Sequence, residues 1–360
     1  MKILQLLPSL QNGGAEKFVC ELANQLVKNQ KISCDIALMY DVDPDSPGFI
    51  SMLKNVKFSS FGKKSGFSFT YLVALYQFIK RNKYDVVHAH LNTITYLLLS
   101  AFLLRRVKFV ATIHSDARFE APGIIDRLVR KLLFLTKKVQ PVTISESSNE
   151  SFKEYYSISA PVIYNGISPY VDNLDEPFAL KKKSNDLIFI HPASCQPVKN
   201  QKLLLEVFKS ITEKHKNVFL YWYGNNSANT ALFSELSEYF SDNIKYCGCV
   251  EDMRIILKEA DAMCLTSTIE GMPMVIIESF SVGCIPIVTP AGGCVNMIDN
   301  GRNGFISKTF EFNDYYKLIE YFISLSELDR RKISIGSFDS FQKYSIEHSV
   351  KSYLKLYNDR

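Results

Sequence analysis

The sequence predicts an α/β fold in which two doubly wound domains follow one another along the 360 residues. Short apolar runs alternate with amphipathic helical stretches, which is the pattern of a parallel sheet with helices on both faces. The alternation lapses once near the middle of the chain and then restarts in the same form. Apolar residues make up 47% of the sequence, which is enough to build a core for each domain.

The first half opens on a strand at residues 3–7 and a helix in which Phe18, Leu22 and Leu26 recur every four residues. Further apolar runs predict strands at residues 33–39, 86–89, 109–113, 142–144 and 162–163. A polar stretch with two prolines and three consecutive lysines then begins at residue 168. We interpret residues 1–170 as a first domain and residues 171–185 as a linker.

The second half repeats the alternation of strands and helices. Strands are predicted at residues 187–190, 218–223, 262–265 and 285–288, helices at 201–208 and 275–280, and an amphipathic tail from residue 313. Ligands of doubly wound sheets bind beyond the carboxyl ends of the strands. Two such domains facing each other would therefore share one cleft.

Charge and composition exclude several classes of protein. The net charge is only +5, which does not indicate a nucleic-acid partner. It is uneven, since residues 1–170 carry 21 Lys and Arg against 13 Asp and Glu, and residues 171–360 carry 21 against 24. The eight cysteines form no C-x-x-C pair, and no apolar run is long enough to span a membrane. Without a secretion signal at the N-terminus, we expect a cytoplasmic protein.

Gly13 and Gly14 lie where the first strand turns into its helix. The backbone N–H groups and the helix dipole at such a junction suit an anion, although the pair could equally serve a tight turn. The G-x-G-x-x-G fingerprint of dinucleotide-binding domains is absent, which argues against an oxidoreductase.

Three charged residues of the second half are candidates for ligand binding. Lys199 follows the first strand of that half, where a point charge could serve a diphosphate or simply face solvent. Glu270 and Glu278 lie eight residues apart, the first in a Gly-Pro turn and the second inside an apolar helix. A carboxylate among apolar residues needs donors, which ribose hydroxyls would supply; an ordinary surface glutamate is the alternative.

Taken in order, the motifs of this chain resemble the retaining glycosyltransferases of family 4, most closely the bacterial enzymes of capsule, O-antigen and lipid-linked oligosaccharide synthesis. They are Gly13-Gly14-Ala15-Glu16, Lys199-Asn200-Gln201, the Glu270 to Glu278 segment, Gly292-Gly293 and Asn303-Gly304-Phe305. The resemblance implies the GT-B fold. Its parts would be an acceptor-binding first domain, a nucleotide-sugar-binding domain over residues 186–344, and a last helix within 345–360 that crosses back to the first domain.

The resemblance also implies roles for individual residues. Glu270 would contact hydroxyls of the donor sugar, Lys199 the diphosphate and Glu278 the nucleotide ribose. His114, at a predicted strand end, would lie beside the reacting sugar. The further donor-binding positions are Gly13, Gly14, Ser194, Cys249, Val250, Met274 and Val275.

Two residues depart from the family pattern. Ser194 stands five residues before Lys199, where the family usually has an arginine, and Asn296 stands where a glutamate often follows the Gly-Gly turn. Lys199 is then the one motif cation on the diphosphate. Either donor binding or turnover is weakened, or another basic residue substitutes.

We expect no cofactor and no metal ion. The segment Asp41-Val42-Asp43-Pro44-Asp45 has the D-x-D spacing that holds a cation in other glycosyltransferases, but it lies in a polar loop far from the donor motifs. His88 and His90 flank Ala89 near a strand end. From the alternation of side chains along a strand, we expect at most one of the two to face the ligand edge.

The expected reaction is metal-independent transfer of a sugar from a nucleotide diphosphate, with uridine as the expected nucleoside, to a sugar hydroxyl of a glycan or lipid-linked acceptor. Retention follows from the resemblance alone. A basic helical stretch suits peripheral contact with an anionic membrane, or is the solvated face of a core helix. Its cations are Arg127, Arg130, Lys131, Lys137 and Lys138. A nucleotide-sugar 2-epimerase and a non-catalytic partner subunit are the alternative functions.

Overall fold

The computed structural model describes residues 1–11, 13–43, 48–171, 183 and 185–359. The chain divides into two compact units, the first made of Met1–Ser168 with Tyr344–Arg360 and the second of Pro169–Lys343. Most of the linker predicted at residues 171–185 lies outside the described residues. Each unit contains one six-stranded parallel sheet with flanking helices, which confirms the predicted α/β class.

The first sheet has the strand order β3-β2-β1-β4-β5-β6. Its strands are β1 (Lys2–Leu7), β2 (Ser33–Leu38), β3 (Lys57–Ser60), β4 (Val86–His90), β5 (Lys108–Ile113) and β6 (Gln140–Thr143). The helices that follow these strands are α1 (Gly14–Leu26), α2 (Phe69–Asn82), α3 (Leu98–Leu103), α4 (Ala117–Glu120), α5 (Ile124–Leu135) and α6 (Glu146–Tyr156). The central strands β1 and β4 are buried almost throughout, as expected of parallel strands covered on both faces.

The second sheet has the order β12-β11-β10-β7-β8-β9. Its strands are β7 (Leu187–Pro192), β8 (Val218–Tyr223), β9 (Ile244–Tyr246), β10 (Ala262–Leu265), β11 (Ile285–Val288) and β12 (Phe305–Ile306). The helices are α7 (Gln201–Lys214), α8 (Thr230–Leu236), α9 (Met253–Leu257), α10 (Met274–Ser281), α11 (Cys294–Met297), α12 (Phe312–Ser324) and α13 (Glu327–Ser340). Counted from its own first strand, each sheet has the order 3-2-1-4-5-6 of the nucleotide-binding fold.

The last helix, α14 (Ile346–Asn358), belongs to the first unit and packs against α1. The Ser345 hydroxyl caps it by accepting a hydrogen bond from the backbone N–H of His348. Gly166 lies against this cap, because a Cβ there would stand 2.5 Å from the Ser345 carbonyl oxygen. On the buried side of α14, the hydroxyls of Tyr353 and Tyr357 form hydrogen bonds in the interior of the first unit.

The predicted strand pattern differs from the structure mainly at the sheet edges. Residues 162–163 form only one bridge, between Val162 and Thr143, rather than a strand. The apolar pattern does not predict three short strands, and each of them lies at the edge of a sheet. They are β3, β9 and β12. β3 is mostly exposed, so it lacks the apolar run that marks a buried strand. Among the described residues, no helix is long and apolar enough to cross a membrane.

Candidate functional site

Lys199 and Glu270 form an ion pair beyond the carboxyl ends of the second sheet, with Nζ and Oε1 2.7 Å apart. Lys199 ends a short 3-10 turn that follows β7, and Glu270 lies in the loop after β10. The two side chains are 23% and 10% exposed. Because β7 and β10 are the neighbours at which the strand order reverses, the pair lies where doubly wound sheets bind ligands.

The two loops that carry this ion pair are tied to each other. The hydroxyl of Thr266 lies within hydrogen-bonding distance of the carbonyls of Lys199 and Asn200, at 3.1 and 3.0 Å. The backbone N–H of Thr268 donates to the carbonyl of Val198 at 2.8 Å. Asn200 has a φ of 50°, in the left-handed region that asparagine tolerates, and joins the turn directly to α7. Lys199 is therefore held through its backbone by the loop that carries Glu270.

Gly292 and Gly293 pack against the Glu270 loop. A Cβ on Gly292 would lie 1.9 Å from the carbonyl oxygen of Glu270, and one on Gly293 would lie 2.0 Å from that of Gly271. Gly292 also has a φ of +44°. The two glycines therefore let this backbone approach the Glu270 loop closely.

Glu278 lies in the second turn of α10, which begins at Met274 after Pro273. Its side chain is buried, with a residue exposure of 6%, so the surface-glutamate alternative does not describe it. Met274 is also buried, and Val275 is half-buried. These residues lie on the helix that follows Glu270, in the arrangement that the E-x7-E spacing predicts.

The loop that contains Ser194 is held through its backbone. The side-chain amide of Gln201 donates to the Ser194 carbonyl at 2.8 Å, and the indole N–H of Trp222 donates to the Ala193 carbonyl at 2.7 Å. A Cβ on Gly224 would lie 2.1 Å from the same Ala193 oxygen. The chain after β7 is thus fixed in position although Ser194 offers no cation.

The loop after β9 carries two further predicted donor-binding residues. Cys249 is exposed and Val250 is half-buried. The carbonyl of Gly248 accepts a hydrogen bond from the backbone N–H of Gly224 at 2.8 Å, which ties this loop to the end of β8. Cys247 is exposed like Cys249, whereas the other six cysteines are buried.

In the first unit, Gly13 caps the N-terminus of α1, and Gly14 is its first residue. Gly13 is extended, with a φ of −134°, and a Cβ there would lie 2.2 Å from Oε2 of Glu16. The glycine thus leaves room for the Glu16 carboxylate to fold back over the first turn. Burial raises the pKa of Glu16. An anionic ligand at this terminus would have to displace that carboxylate.

His114 follows β5 and is held through its backbone. The N–H groups of His114 and Ser115 donate to Oε1 of Glu120 at 2.5 and 2.9 Å. Burial raises the pKa of Glu120 to about 7, and the guanidinium of Arg130, 3.8 Å away, opposes that rise. Glu120 was not predicted from the sequence, because its hydrogen bonds to the backbone of His114 and Ser115 form only in the folded loop.

His88 and His90 lie on the same face of the first sheet, with ring centroids 4.1 Å apart. The expectation that rested on opposite orientations is wrong, because residues two apart along a strand share a face. Both are fully buried, and burial lowers the pKa of each well below its ordinary value. His88 contacts the hydroxyls of Tyr357 and Thr112, both at 2.7 Å.

The acidic segment at residues 41–45 is only partly described, since Pro44 and Asp45 lie outside the described residues. Asp41 accepts a hydrogen bond from the Ser60 hydroxyl at 2.8 Å. Within the described part of the chain, no group of three or more His, Cys, Asp or Glu side chains could hold a metal ion. Metal independence remains a prediction.

Arg130 does not belong to an exposed basic surface, contrary to the expectation for the basic stretch. Its side chain is fully buried and pairs with Asp126 at 3.1 Å and with Glu120 at 3.8 Å. The outer side of α5 is instead apolar. We call the following exposed residues the apolar face of α5: Ile124, Ile125, Leu128, Leu132 and Leu135.

Two family models match this chain, and several curated relatives are similar to it. The models are Glycosyltransferase Family 4 over residues 12–170 and Glycosyl transferases group 1 over residues 172–336. The GalNAc-alpha-(1->4)-GalNAc-alpha-(1->3)-diNAcBac-PP-undecaprenol alpha-1,4-N-acetyl-D-galactosaminyltransferase of Campylobacter jejuni is 22% identical, over 99% of this chain and 98% of its own. The UDP-Gal:alpha-D-GlcNAc-diphosphoundecaprenol alpha-1,3-galactosyltransferase of Escherichia coli is 27% identical, over 71% of this chain and 70% of its own.

The fold is shared with solved structures as well. The crystal structure of Anabaena HepE in complex with UDP and glucose matches with a TM-score of 0.79 and 18% identity, over 100% of both chains. The two family models together span nearly the whole sequence. With two sheets of nucleotide-binding topology in tandem, this chain belongs to glycosyltransferase family 4 and has the GT-B fold.

Proposed function

We propose that this glycosyltransferase moves a sugar, with retention, from a UDP-sugar to a sugar hydroxyl of a lipid-linked oligosaccharide in surface polysaccharide synthesis. The observation that carries the proposal is the Lys199–Glu270 ion pair at the strand-order reversal of the second sheet. A cation and a carboxylate at one point can receive the diphosphate and the sugar hydroxyls of one donor. The undecaprenol-linked acceptors in the two relatives' names and the UDP and glucose bound to HepE support this substrate class.

Donor binding exchanges one partner of Lys199 for another. Without donor, its ammonium group is neutralised by Glu270. An incoming diphosphate takes over the ammonium group, and the Glu270 carboxylate then accepts hydrogen bonds from hydroxyls of the sugar. Glu278, buried one helix turn into α10, accepts from the ribose hydroxyls. The backbone N–H groups at Met274 and Val275, at the start of that helix, favour the negatively charged phosphates.

In the proposed reaction, the acceptor hydroxyl attacks the anomeric carbon on the face from which UDP departs. The bond from that carbon to the phosphate oxygen breaks, its electron pair stays on the oxygen, and the proton of the acceptor hydroxyl passes to it. Lys199 stabilises the charge that develops on the departing diphosphate. Because this ammonium group supplies the compensating charge, the proposed reaction uses no metal ion and no cofactor.

The experiment is a transfer assay with purified protein, labelled UDP-sugars and a bacterial membrane extract. We expect label in the lipid-extractable fraction, and Glu270→Ala should lower the rate by roughly 10²- to 10³-fold. Glu235→Ala is the matched control, because Glu235 is an exposed glutamate of the same unit, 59% accessible. An isomerised donor would indicate the epimerase, and binding without turnover the non-catalytic subunit. Loss of activity with a chelator would contradict metal independence.

The proposal includes peripheral contact with an anionic membrane through the apolar face of α5. Leu128 is 60% exposed and Ile125 78% exposed, so both are free to enter a headgroup layer. The cations near the end of the helix, Lys131 and Lys137, suit anionic lipid. The protein should bind phosphatidylglycerol vesicles and sediment with them, and Leu128→Asp should weaken this binding. Leu328→Asp, on a 64% exposed leucine of α13, should not.

A further inference from the structure

His191 lies in the second unit near the end of β7, shortly before the turn that carries Lys199. Its side chain is fully buried. Nδ1 of His191 is 2.9 Å from the carbonyl oxygen of Cys264, on the neighbouring strand β10. Two residues beyond Cys264, the hydroxyl of Thr266 lies 3.1 Å from the carbonyl oxygen of Lys199. The imidazole is therefore tied to the strand whose following loop holds the Lys199 turn.

The hydrogen bond to Cys264 fixes the tautomer of His191. A carbonyl oxygen can only accept, so Nδ1 of the neutral imidazole carries the hydrogen and Nε2 has the lone pair. Nε2 is buried and has no hydrogen-bond partner among the described residues. Because a buried acceptor without a donor is unfavourable, a donor group that turns towards this atom is stabilised there.

Lys199 is a charged donor near this lone pair. Burial lowers the pKa of His191 to about 4; the hydrogen bond to Cys264 opposes this shift, and the positive charge of Lys199 adds to it. The imidazole is therefore neutral near pH 7 and does not repel the ammonium group. A lysine ammonium group has three N–H donors, and the contact with Glu270 at 2.7 Å uses one of them. Lys199 thus has a donor to offer to Nε2.

We propose that His191 is a positioning residue whose Nε2 accepts a hydrogen bond from the Lys199 ammonium group when a diphosphate draws this group away from Glu270. This inference rests on the proposed function, in which the diphosphate replaces Glu270 as the partner of Lys199. The ammonium group then keeps a fixed protein partner while the Glu270 carboxylate turns to the sugar hydroxyls. Its orientation towards the phosphate is set by the lone pair of a buried, immobile ring.

Nitrogen NMR of the full-length protein tests the tautomer without any ligand. His191 is one of six histidines, and its ring signals can be assigned through its own backbone, so no substitution at this position is needed. We expect hydrogen on Nδ1 and a bare lone pair on Nε2 at pH 7. Hydrogen on Nε2 would leave no acceptor for Lys199 and would overturn the proposal.

Addition of UDP tests the change of partner. At saturating UDP, the Nε2 signal of His191 should shift in the direction of an accepted hydrogen bond, and Lys199→Met should abolish this shift. Lys202→Met is the matched control and should retain it, because Lys202 is 56% exposed and pairs with Glu235. An Nε2 signal that bound UDP leaves unchanged would overturn the role of His191 alone. Absence of UDP binding would overturn the proposed donor and this inference with it.

Calorimetry of UDP binding separates this role from a purely structural one. His191→Asn keeps a side-chain N–H for the Cys264 carbonyl but lacks Nε2, and it should weaken UDP binding about tenfold. In a Lys199→Met background, the same substitution should have little effect, because the donor to Nε2 is already gone. An equal loss in both backgrounds would overturn the contact. His215→Asn is the matched control, on a 25% exposed histidine that pairs with Glu320, and should leave the affinity unchanged.

Discussion

The two sheets of this protein have the same strand order but carry opposite chemistry at the point where that order reverses. In the first unit, this point holds buried, uncharged groups, with His90 fully buried and its pKa well below the ordinary value. In the second unit, this point holds the Lys199–Glu270 ion pair, whose side chains are 23% and 10% exposed.

The difference follows from burial. A charge is tolerated where it is paired and partly hydrated, whereas an imidazole that is fully buried loses its proton. One topology thus serves charge compensation in the second unit and directional hydrogen bonding in the first. Under the proposed function, the ion pair of the second unit receives the diphosphate and the sugar hydroxyls of the donor. The following predictions probe this division, from the largest effect to the smallest.

Loss of the cation in the second unit should have the largest effect. Lys199→Ala should lower kcat/KM for transfer about 10³-fold, because no second motif cation compensates the departing diphosphate. Lys202→Ala, three residues away and 56% exposed, is the matched control. Steady-state kinetics with titration of UDP binding would measure both. Equal rates for the two variants would place the charge compensation elsewhere.

Acid should destabilise the first unit more than the second. Burial lowers the pKa of His88 and His90 well below 6.5 and that of His114 to about 3. In the described part of the second unit, His191 is the only histidine with such a shift, and its pKa is lowered to about 4. An imidazole whose pKa is lowered by folding contributes stability above its ordinary pKa, and this stability is lost as the pH falls towards the folded value.

Glu120 acts in the opposite direction, since a carboxyl whose pKa is raised to about 7 gains relative stability as the pH falls towards 4.5. The first unit should still lose stability between pH 6 and 5, because three lowered histidines oppose one raised carboxyl. The single tryptophan, Trp222, reports the second unit alone, while circular dichroism follows both. In urea at pH 5, circular dichroism should change before Trp222 fluorescence. Coincident transitions at every pH would contradict this prediction.

A side chain added at Gly292 should disturb the second unit locally. Gly292→Ala places a Cβ 1.9 Å from the Glu270 carbonyl at a φ of +44°, so we expect a loss of about 3 kcal/mol in unfolding free energy, together with reduced transfer. Gly301→Ala is the matched control, since its φ is +81° but nothing lies within 4 Å of the added Cβ. It should cost about 1 kcal/mol and leave transfer unchanged. If urea titrations gave equal losses of unfolding free energy for the two variants, the Glu270 loop would have to move aside without cost to accommodate the added Cβ.

A second cation beside Lys199 should have the smallest effect. Ser194→Arg restores the basic residue usual in the family, and we expect UDP to bind about tenfold more tightly, a gain of ~1.4 kcal/mol. Calorimetry of UDP binding would measure it, with Ser194→Gln as an uncharged control of similar length. An unchanged affinity would mean that another group already compensates the diphosphate at this site.

Much of the fold could be predicted from periodicity, and the central strands agree with the structure within one or two residues. β7, for example, begins at Leu187 as predicted, because a parallel strand covered on both faces is a continuous apolar run. The edge strands could not be predicted in this way. β3, from Lys57 to Ser60, is mostly exposed, so no apolar pattern marks it.

The sequence by itself determined the tandem α/β architecture, the order of the motifs and the place of Glu278 in an apolar helix, because periodicity and spacing are properties of neighbouring residues. Only the tertiary structure decided that Lys199 meets Glu270, 71 residues away, and that Arg130 faces the interior. It also decided that Gln5, His90 and His114 form one row. Hydrogen bonds and ion pairs between strands depend on the order and register of the strands. Order and register bring together residues that are distant in sequence, so these contacts form only in the folded chain.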